Sequence, residues 1–213
     1  MIASMRRVVS LDGVWRFMPD LRDGGEAARW HAPAHRDGDW RPIRVPAPWD
    51  AVAEEFQGYE GVAWYRLRFV LPGPRPRTAL LRFAGAGHEA NVWLNGRRLG
   101  VHRGGYGPFA FDAARALRPG ANLLAVRIAH LFSDSTLPML NTDWWKYGGI
   151  TRPVTLVLND GPLIERLTVT VSGDPGRPVA TVRGRLTGRA AGALRLDVSA
   201  GRPRASAMVR PGE

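Results

Sequence analysis

The chain contains no cysteine, a single lysine and no long run of apolar residues. Without cysteine, the sequence excludes disulfide bonds and thiolate metal sites. No segment approaches the ~20 consecutive apolar residues that a membrane-spanning helix needs. No apolar stretch of signal-peptide length follows Arg6 and Arg7, so no export signal is predicted. We therefore expect a cytoplasmic protein with no membrane partner.

Positive charge is plentiful but scattered. The formal net charge is +11, and nearly all of the positive charge comes from arginine, because Lys146 is the only lysine. The arginines are spread through predicted strands and turns, as at Arg66, Arg97 and Arg127. A nucleic-acid interface would gather such charges on one face. The sequence therefore predicts no nucleic-acid partner.

Helical periodicity is also scarce, and a two-residue alternation takes its place. In Ala63–Leu71, apolar residues recur at every second position from Tyr65 onward, with Arg66 and Arg68 between them. This pattern is typical of a strand with one face turned to a core. It predicts that the apolar face packs inward and that the two arginines lie on the opposite face.

Further strands follow, separated by turn residues. Asn95-Gly96 lies between Ala90–Leu94 and Arg97–His102, and this dipeptide predicts a type I′ hairpin turn because both residues tolerate positive φ. Other strand-like segments are Ala79–Phe83, Leu123–Ile128 and Pro153–Leu158. Many short strands spaced by glycine and proline predict an all-β fold, with a jelly-roll β-sandwich over residues 1–160.

The composition changes after Asn159–Pro162. Three strand-like segments without aromatic residues follow, and these are Leu163–Ser172, Val179–Leu186 and Ala193–Ser199. An immunoglobulin-like sandwich has about seven strands. We therefore predict that residues 161–213 form the first strands of an incomplete immunoglobulin-like domain.

Motifs for catalysis or cofactor binding are missing. No Gly-x-Ser-x-Gly nucleophile motif is present. Pro33 separates His31 from His35 and makes a helical metal pair unfavourable. The glycines of residues 104–108 run into an extended segment, whereas a phosphate loop would precede a helix.

Glycosidase chemistry commonly uses a pair of carboxylates. The spacing in the sequence pairs none of the candidates, which are Glu54, Glu55, Glu60, Glu89, Asp134 and Asp143. We predict no catalytic residue, metal or cofactor in this chain.

The segment Asn141–Val154 (NTDWWKYGGITRPV) is the strongest candidate for a binding site. The apolar faces of sugars stack on indole rings, and sugar hydroxyls pair with planar polar groups such as carboxylates. Trp144 and Trp145 are adjacent, so both rings cannot point into the same face of a core. Two interpretations stay open here: contact with a ligand or another domain, and ordinary packing.

Several stretches, taken in order, resemble the N-terminal part of family 2 glycoside hydrolases, the group that includes β-glucuronidases, β-galactosidases and β-mannosidases. They are Leu11–Phe17 (LDGVWRF), Val45–Asp50 (VPAPWD), Gly61–Arg68 (GVAWYRLR), Leu81–Gly96 (LRFAGAGHEANVWLNG), His102–Phe109 (HRGGYGPF), Gly120–Val126 (GANLLAV) and Asp143–Pro153 (DWWKYGGITRP). The resemblance implies a jelly-roll sugar-binding domain, then an immunoglobulin-like domain. It places the catalytic glutamates in a later TIM barrel of roughly 250 residues. Without that barrel, we expect this chain alone to be inactive.

The resemblance also implies a role for the tryptophan segment. Asp143 falls at the position of an aspartate that reaches into the barrel's active site and contacts sugar hydroxyls. Trp144, Trp145 and Lys146 would then form the wall and rim of that contact. The alternative is that Asp143 only caps the turn. The resemblance implies two partners, which are a β-glycoside bound through the parent enzyme's active site and the catalytic barrel of the parent chain. A homo-oligomer is a further possible partner.

Two other functions compete with a non-catalytic sugar-binding domain of a β-glucuronidase- or β-galactosidase-like enzyme. One is a stand-alone carbohydrate-binding module, which should bind a polysaccharide without further domains. The other is a structural or oligomerisation module with no ligand. An unfinished second sandwich argues against a stand-alone module, because it would leave raw strand edges.

Overall fold

The computed structural model describes residues 6–71, 73–133, 136, 143–174, 176–177, 179–188, 194–199 and 204–209. These residues are mostly strand, and the predicted all-β fold is confirmed. The strands are β1 (Arg7–Ser10), β2 (Gly13–Pro19), β3 (Arg41–Val45), β4 (Gly61–Leu71), β5 (Thr78–Phe83), β6 (Glu89–Leu94), β7 (Arg97–Arg103), β8 (Phe109–Asp112), β9 (Gly120–His130), β10 (Val154–Asn159), β11 (Leu163–Ser172), β12 (Val179–Thr187), β13 (Leu194–Ser199) and β14 (Arg204–Val209). The described helices are two 3₁₀ turns, Trp49–Ala51 and Glu54–Phe56.

Two antiparallel sheets form a β-sandwich. One sheet has the order β3-β2-β4-β9-β6-β7, and the other has the order β1-β10-β5-β8. Their facing sides share one apolar core, to which Phe17 and Tyr65 contribute from the first sheet and Leu81 and Leu156 from the second. The predicted alternation in β4 therefore places its apolar face in this core.

The outer face of the six-stranded sheet is also covered. Arg66 of β4 points away from the main core, yet its side chain is buried. The covering residues are those of the segment 20–40. From this segment Asp37 forms an ion pair with Arg66 at 3.2 Å, and the carbonyls of Ala32 and His35 each accept a hydrogen bond from its guanidinium at 3.1 Å. Arg66 therefore lies on the face opposite the apolar one, as the alternation predicts, but a long loop packs over that face and buries it.

The predicted hairpin turn is present between β6 and β7. Asn95 and Gly96 have φ values of 54° and 81°, as a type I′ turn requires. Asn95 also fixes the turn to its surroundings, because its side-chain oxygen accepts the backbone N–H of Leu123 at 2.9 Å. This turn aligns the two strands at the edge of the six-stranded sheet.

The strands after residue 160 form separate antiparallel hairpins. β11 pairs with β12, and β13 pairs with β14. Apolar side chains of the first hairpin are exposed, among them Leu167, Val169 and Val171. The division into domains at residues 160 and 161 stays a prediction.

The described ranges contain neither a membrane-spanning helix nor a cluster of metal ligands. Within them, no helix has the length and apolar character needed to cross a membrane. Over the same residues, no group of three histidine, aspartate or glutamate side chains is placed to hold a metal ion.

Candidate functional site

Residues 143–149, here called the aromatic loop, follow β9 and lead toward β10. The side chains of Trp144, Trp145 and Tyr147 are 56%, 54% and 51% exposed, and Asp143 is exposed beside them. The rings of Trp145 and Tyr147 lie 6.5 Å apart between centroids. Five of the other six tryptophans, among them Trp15, are buried in apolar clusters, and Trp30 is partly buried against one of these clusters. Core packing therefore does not account for the two adjacent indoles.

The C-terminal end of the aromatic loop is anchored in the core. The backbone N–H of Trp49 donates to the carbonyl of Gly148, and the N–H of Gly87 donates to the carbonyl of Gly149, each at 3.0 Å. A Cβ at Gly148 would collide with the Trp49 ring, and a Cβ at Gly149 would collide with the hydroxyl of Tyr65. Glycine is needed at both positions because backbone and rings approach so closely.

Asp50 belongs to residues 49–60, here called the neighbouring loop, and its carboxylate links this loop to the aromatic loop. Its Oδ1 accepts hydrogen bonds from the indole N–H of Trp145 at 2.9 Å and from the backbone N–H of Gly58 at 3.0 Å. Its Oδ2 accepts the backbone N–H of Gly148 at 3.4 Å. One carboxylate therefore holds three groups from two loops that are distant in sequence.

Lys146 turns its ammonium group away from open solvent. Its Nζ lies 3.2 Å from Oε1 of Glu60, and its side chain is only 12% exposed. The same nitrogen lies 4.1 Å from the ring centroid of Phe132, within the range of a cation–π interaction. The ammonium group is therefore engaged with the neighbouring loop and with the chain that follows β9.

His130 supports the aromatic loop from the end of β9. Its Nε2 lies 2.9 Å from the carbonyl oxygen of Lys146. A carbonyl only accepts, so Nε2 carries the proton and Nδ1 does not. Nδ1 is buried and has no hydrogen-bond partner among the described residues. Burial lowers the pKa of His130, because a second proton would place an uncompensated charge in the interior.

The sequence profile described as "Glycosyl hydrolases family 2, sugar binding domain" matches residues 8–160 of the chain. The chain belongs to this family. The match covers both sheets of the β-sandwich and the whole aromatic loop, so the site described above lies within the family 2 sugar-binding domain.

Curated relatives of this family 2 chain include several β-glucuronidases. The chain is 28% identical over 196 residues to the β-glucuronidase of Paenibacillus borealis, a match that covers 80% of this chain and 33% of that protein. It is 29% identical over 197 residues to the β-glucuronidase of Canis lupus familiaris, a match that covers 77% of this chain and 30% of that protein. The family 2 chain therefore spans about a third of the length of the curated relatives it matches.

Solved structures show the same fold. A β-glucuronidase from an uncultured Clostridium species superposes with a TM-score of 0.72 at 23% identity, over 98% of this chain and 40% of that one. The β-glucuronidase of Ruminococcus gnavus gives the same TM-score of 0.72, identity of 23% and coverage of 98% and 40%. The likeness extends through nearly the whole family 2 chain, including strands β11 to β14.

The predicted site residues of the family 2 chain divide into two groups. Asp143, Trp144 and Trp145 are consecutive, exposed residues of the aromatic loop. Lys146 faces Glu60 instead, so its charge links the aromatic loop to the neighbouring loop. Asn141 and Thr142 of the same segment, and the candidate carboxylate Asp134, lie outside the described residues.

Two of the other candidate carboxylates form ion pairs with arginines. Glu55 pairs with Arg41, and Glu89 pairs with Arg103 at 2.8 Å. Sequence reasoning missed Asp50, which was visible only as one member of a loop of many polar residues. The available signal for Asp50 is its position directly after Trp49, in the stretch VPAPWD that resembles the family. The neighbouring residues do not indicate its hydrogen-bond partners, because these partners are distant in sequence.

Proposed function

We propose that this chain is the non-catalytic sugar-binding part of a β-glycosidase that acts on β-glucuronides or β-galactosides. In this proposal, the aromatic loop helps to complete a substrate pocket whose catalytic groups come from a barrel domain of the same parent enzyme. The names of the relatives, which are β-glucuronidases, favour a β-glucuronide. The observation that carries the proposal is the half-exposed pair Trp144 and Trp145 beside the exposed Asp143.

The chemistry of these side chains suits a sugar. An indole face can pack against the apolar C–H face of a pyranose, while a carboxylate accepts hydrogen bonds from two neighbouring hydroxyls. Bonds to a charged acceptor are roughly twice as strong as neutral ones. In the proposed substrate-binding set, Asp143 binds hydroxyls, Trp144 and Trp145 form the wall, and Lys146 supports the rim through Glu60.

The remaining parts of the proposal concern the chain as a whole. Residues 1–160 would be the sugar-binding domain, and residues 161–213 would begin an immunoglobulin-like domain. The chain alone would be inactive, because the barrel that holds the catalytic glutamates in this family is not part of it. We also propose a cytoplasmic location and a contribution to a homo-oligomeric assembly.

Hydrolysis assays test this function. The full-length enzyme that carries this chain should hydrolyse p-nitrophenyl β-D-glucuronide faster than the matching galactoside, and the 213-residue chain should hydrolyse neither. Hydrolysis by the chain alone would contradict the non-catalytic role. If the full-length enzyme prefers the galactoside, the proposed substrate is a β-galactoside instead of a β-glucuronide. If it cleaves neither glycoside, the proposed function is wrong.

A stand-alone carbohydrate-binding module is the second candidate, because the exposed indole pair could also serve as a binding platform. Titration calorimetry separates the two functions. The proposed domain should bind a monosaccharide weakly or not at all, since the other walls of its pocket come from the barrel. Tight binding of the chain to a simple sugar or polysaccharide would favour the module, and binding of neither, together with an inactive full-length protein, would favour a structural module.

A further inference from the structure

Asp50 uses both carboxylate oxygens to hold groups from two loops. Its partners at Trp145 and Gly148 are 95 and 98 residues away in sequence, whereas Gly58 is 8 residues away. A carboxylate suits this place because it can accept several hydrogen bonds and carries no competing donor. An asparagine could keep the two bonds to Oδ1, but its amide N–H₂ would oppose the N–H of Gly148.

The backbone beside Asp50 strengthens the same link. The N–H of Trp49 donates to the carbonyl of Gly148 at 3.0 Å, while the N–H of Gly148 faces Asp50. The two loops are therefore joined in both directions at one residue. The 3₁₀ turn Trp49–Ala51 fixes Asp50 itself, because Val52 closes the turn by donating to the carbonyl of Trp49 at 2.9 Å.

Trp145 is the residue for which this link matters most. About half of its surface is exposed, so core packing alone leaves its ring free to change rotamer. The bond from its indole N–H to Asp50 fixes one edge of the ring. The ring also lies against the backbone of the neighbouring loop, since a Cβ built at Gly58 would be in van der Waals contact with Trp145 at 3.6 Å. These two contacts hold the exposed indole ring of Trp145 in one orientation.

We propose that Asp50 is a positioning residue for the sugar-contact site. It sets the ring of Trp145 and the backbone at Gly148, and through them the direction in which Asp143 meets the sugar. Its effect on catalysis rests on the proposed function. Its effect on the aromatic loop does not, so the two are tested by separate measurements.

The structural part is tested on the 213-residue chain by ¹H–¹⁵N NMR of its eight tryptophan indoles. Trp145→Phe assigns the Trp145 resonance by its loss. In Asp50→Ala, that resonance should move upfield and exchange faster with water, because the indole N–H loses a charged acceptor. In Asp50→Asn it should move less, since one oxygen acceptor remains. Glu54→Gln, a change in the neighbouring loop, should leave it in place. An unchanged Trp145 resonance in Asp50→Ala would overturn the proposal.

The catalytic part is tested by steady-state kinetics of the full-length enzyme on p-nitrophenyl β-D-glucuronide. Asp50→Ala should raise KM roughly tenfold, the equivalent of one charged hydrogen bond, with a smaller fall in kcat. Asp50→Asn should restore part of the loss. If Asp143→Ala impairs the enzyme while Asp50→Ala leaves KM unchanged, the positioning role is wrong. If Asp143→Ala has no effect, the proposed function fails, and the NMR result alone decides the role of Asp50.

Discussion

The ammonium group of Lys146 lies 3.2 Å from the carboxylate of Glu60 and ties the aromatic loop to the residue that precedes β4. Lys146→Met should remove the charge and keep an unbranched apolar side chain against Phe132. We expect the free energy of unfolding to fall by about 1 kcal/mol. The loss is modest because Glu60 is 44% exposed and its charge is screened by water. Urea unfolding followed by tryptophan fluorescence measures the change.

The matched control is the ion pair between Arg41 and Glu55, in which both side chains are 54% exposed. Glu55→Gln should change the free energy of unfolding by less than about 0.5 kcal/mol. A double-mutant cycle of Lys146→Met with Glu60→Gln should show coupling between the two sites. Equal effects at Glu55 and Lys146, with no coupling to Glu60, would show that Lys146 does not anchor the loop.

The stability of the chain should depend on pH through its histidines. Burial lowers the pKa of every histidine in the chain, namely His31, His35, His88, His102 and His130. A lowered pKa in the folded state means that the unfolded state binds more protons, so stability is complete above about pH 6.5 and falls as the pH drops below it. The urea midpoint should therefore be lower at about pH 5.5 than at about pH 8.

His130→Gln tests the share of this effect that belongs to the aromatic loop. The glutamine amide can still donate to the carbonyl of Lys146 but cannot take up a proton. We expect the variant to lose less stability between about pH 8 and about pH 5.5 than the unmodified chain does. An identical loss in both proteins would mean that folded His130 binds its proton as readily as the unfolded chain does, and that its pKa is not lowered.

Gly149 fixes the end of the aromatic loop, with φ at 103°. Gly149→Ala should lower the free energy of unfolding by about 2 kcal/mol or more. Alanine is unfavourable at this positive φ, and its Cβ would collide with the hydroxyl of Tyr65. Urea unfolding again measures the effect. Gly107→Ala is the control, since a Cβ there meets no atom within 4 Å. Similar stability of the two variants would contradict the tight anchoring of the loop.

Local patterns were enough to predict much of the fold. The alternation in β4 depends only on neighbouring residues, and the turn at Asn95-Gly96 depends on the φ preferences of those two residues. Both are confirmed by the register of β4 with β9 and by the φ values of the turn. Adjacent rings cannot share one face of a strand, so the local sequence indicates that one of Trp144 and Trp145 leaves the core, but not that both are exposed.

Long-range contacts could not be predicted in this way. The alternation places Arg66 on the outer face of β4, but it does not predict that a loop with Asp37, 29 residues earlier, buries it. The link from Asp50 to Trp145 spans 95 residues. The inward turn of Lys146 depends on Glu60, which lies in another loop. In each case the partner is set by how the loops pack on the sheets, which the local sequence does not encode.

The central claim, that the aromatic loop contacts the sugar through Asp143, is tested most directly by the kcat/KM of Asp143→Asn in the full-length enzyme on p-nitrophenyl β-D-glucuronide. This substitution removes the charge and keeps the shape of the side chain. Because Asp143 is exposed, the urea midpoint should not change, while kcat/KM should fall roughly 10- to 100-fold through the loss of charge-assisted bonds to hydroxyls. An unaltered kcat/KM in a normally folded variant would contradict the claim.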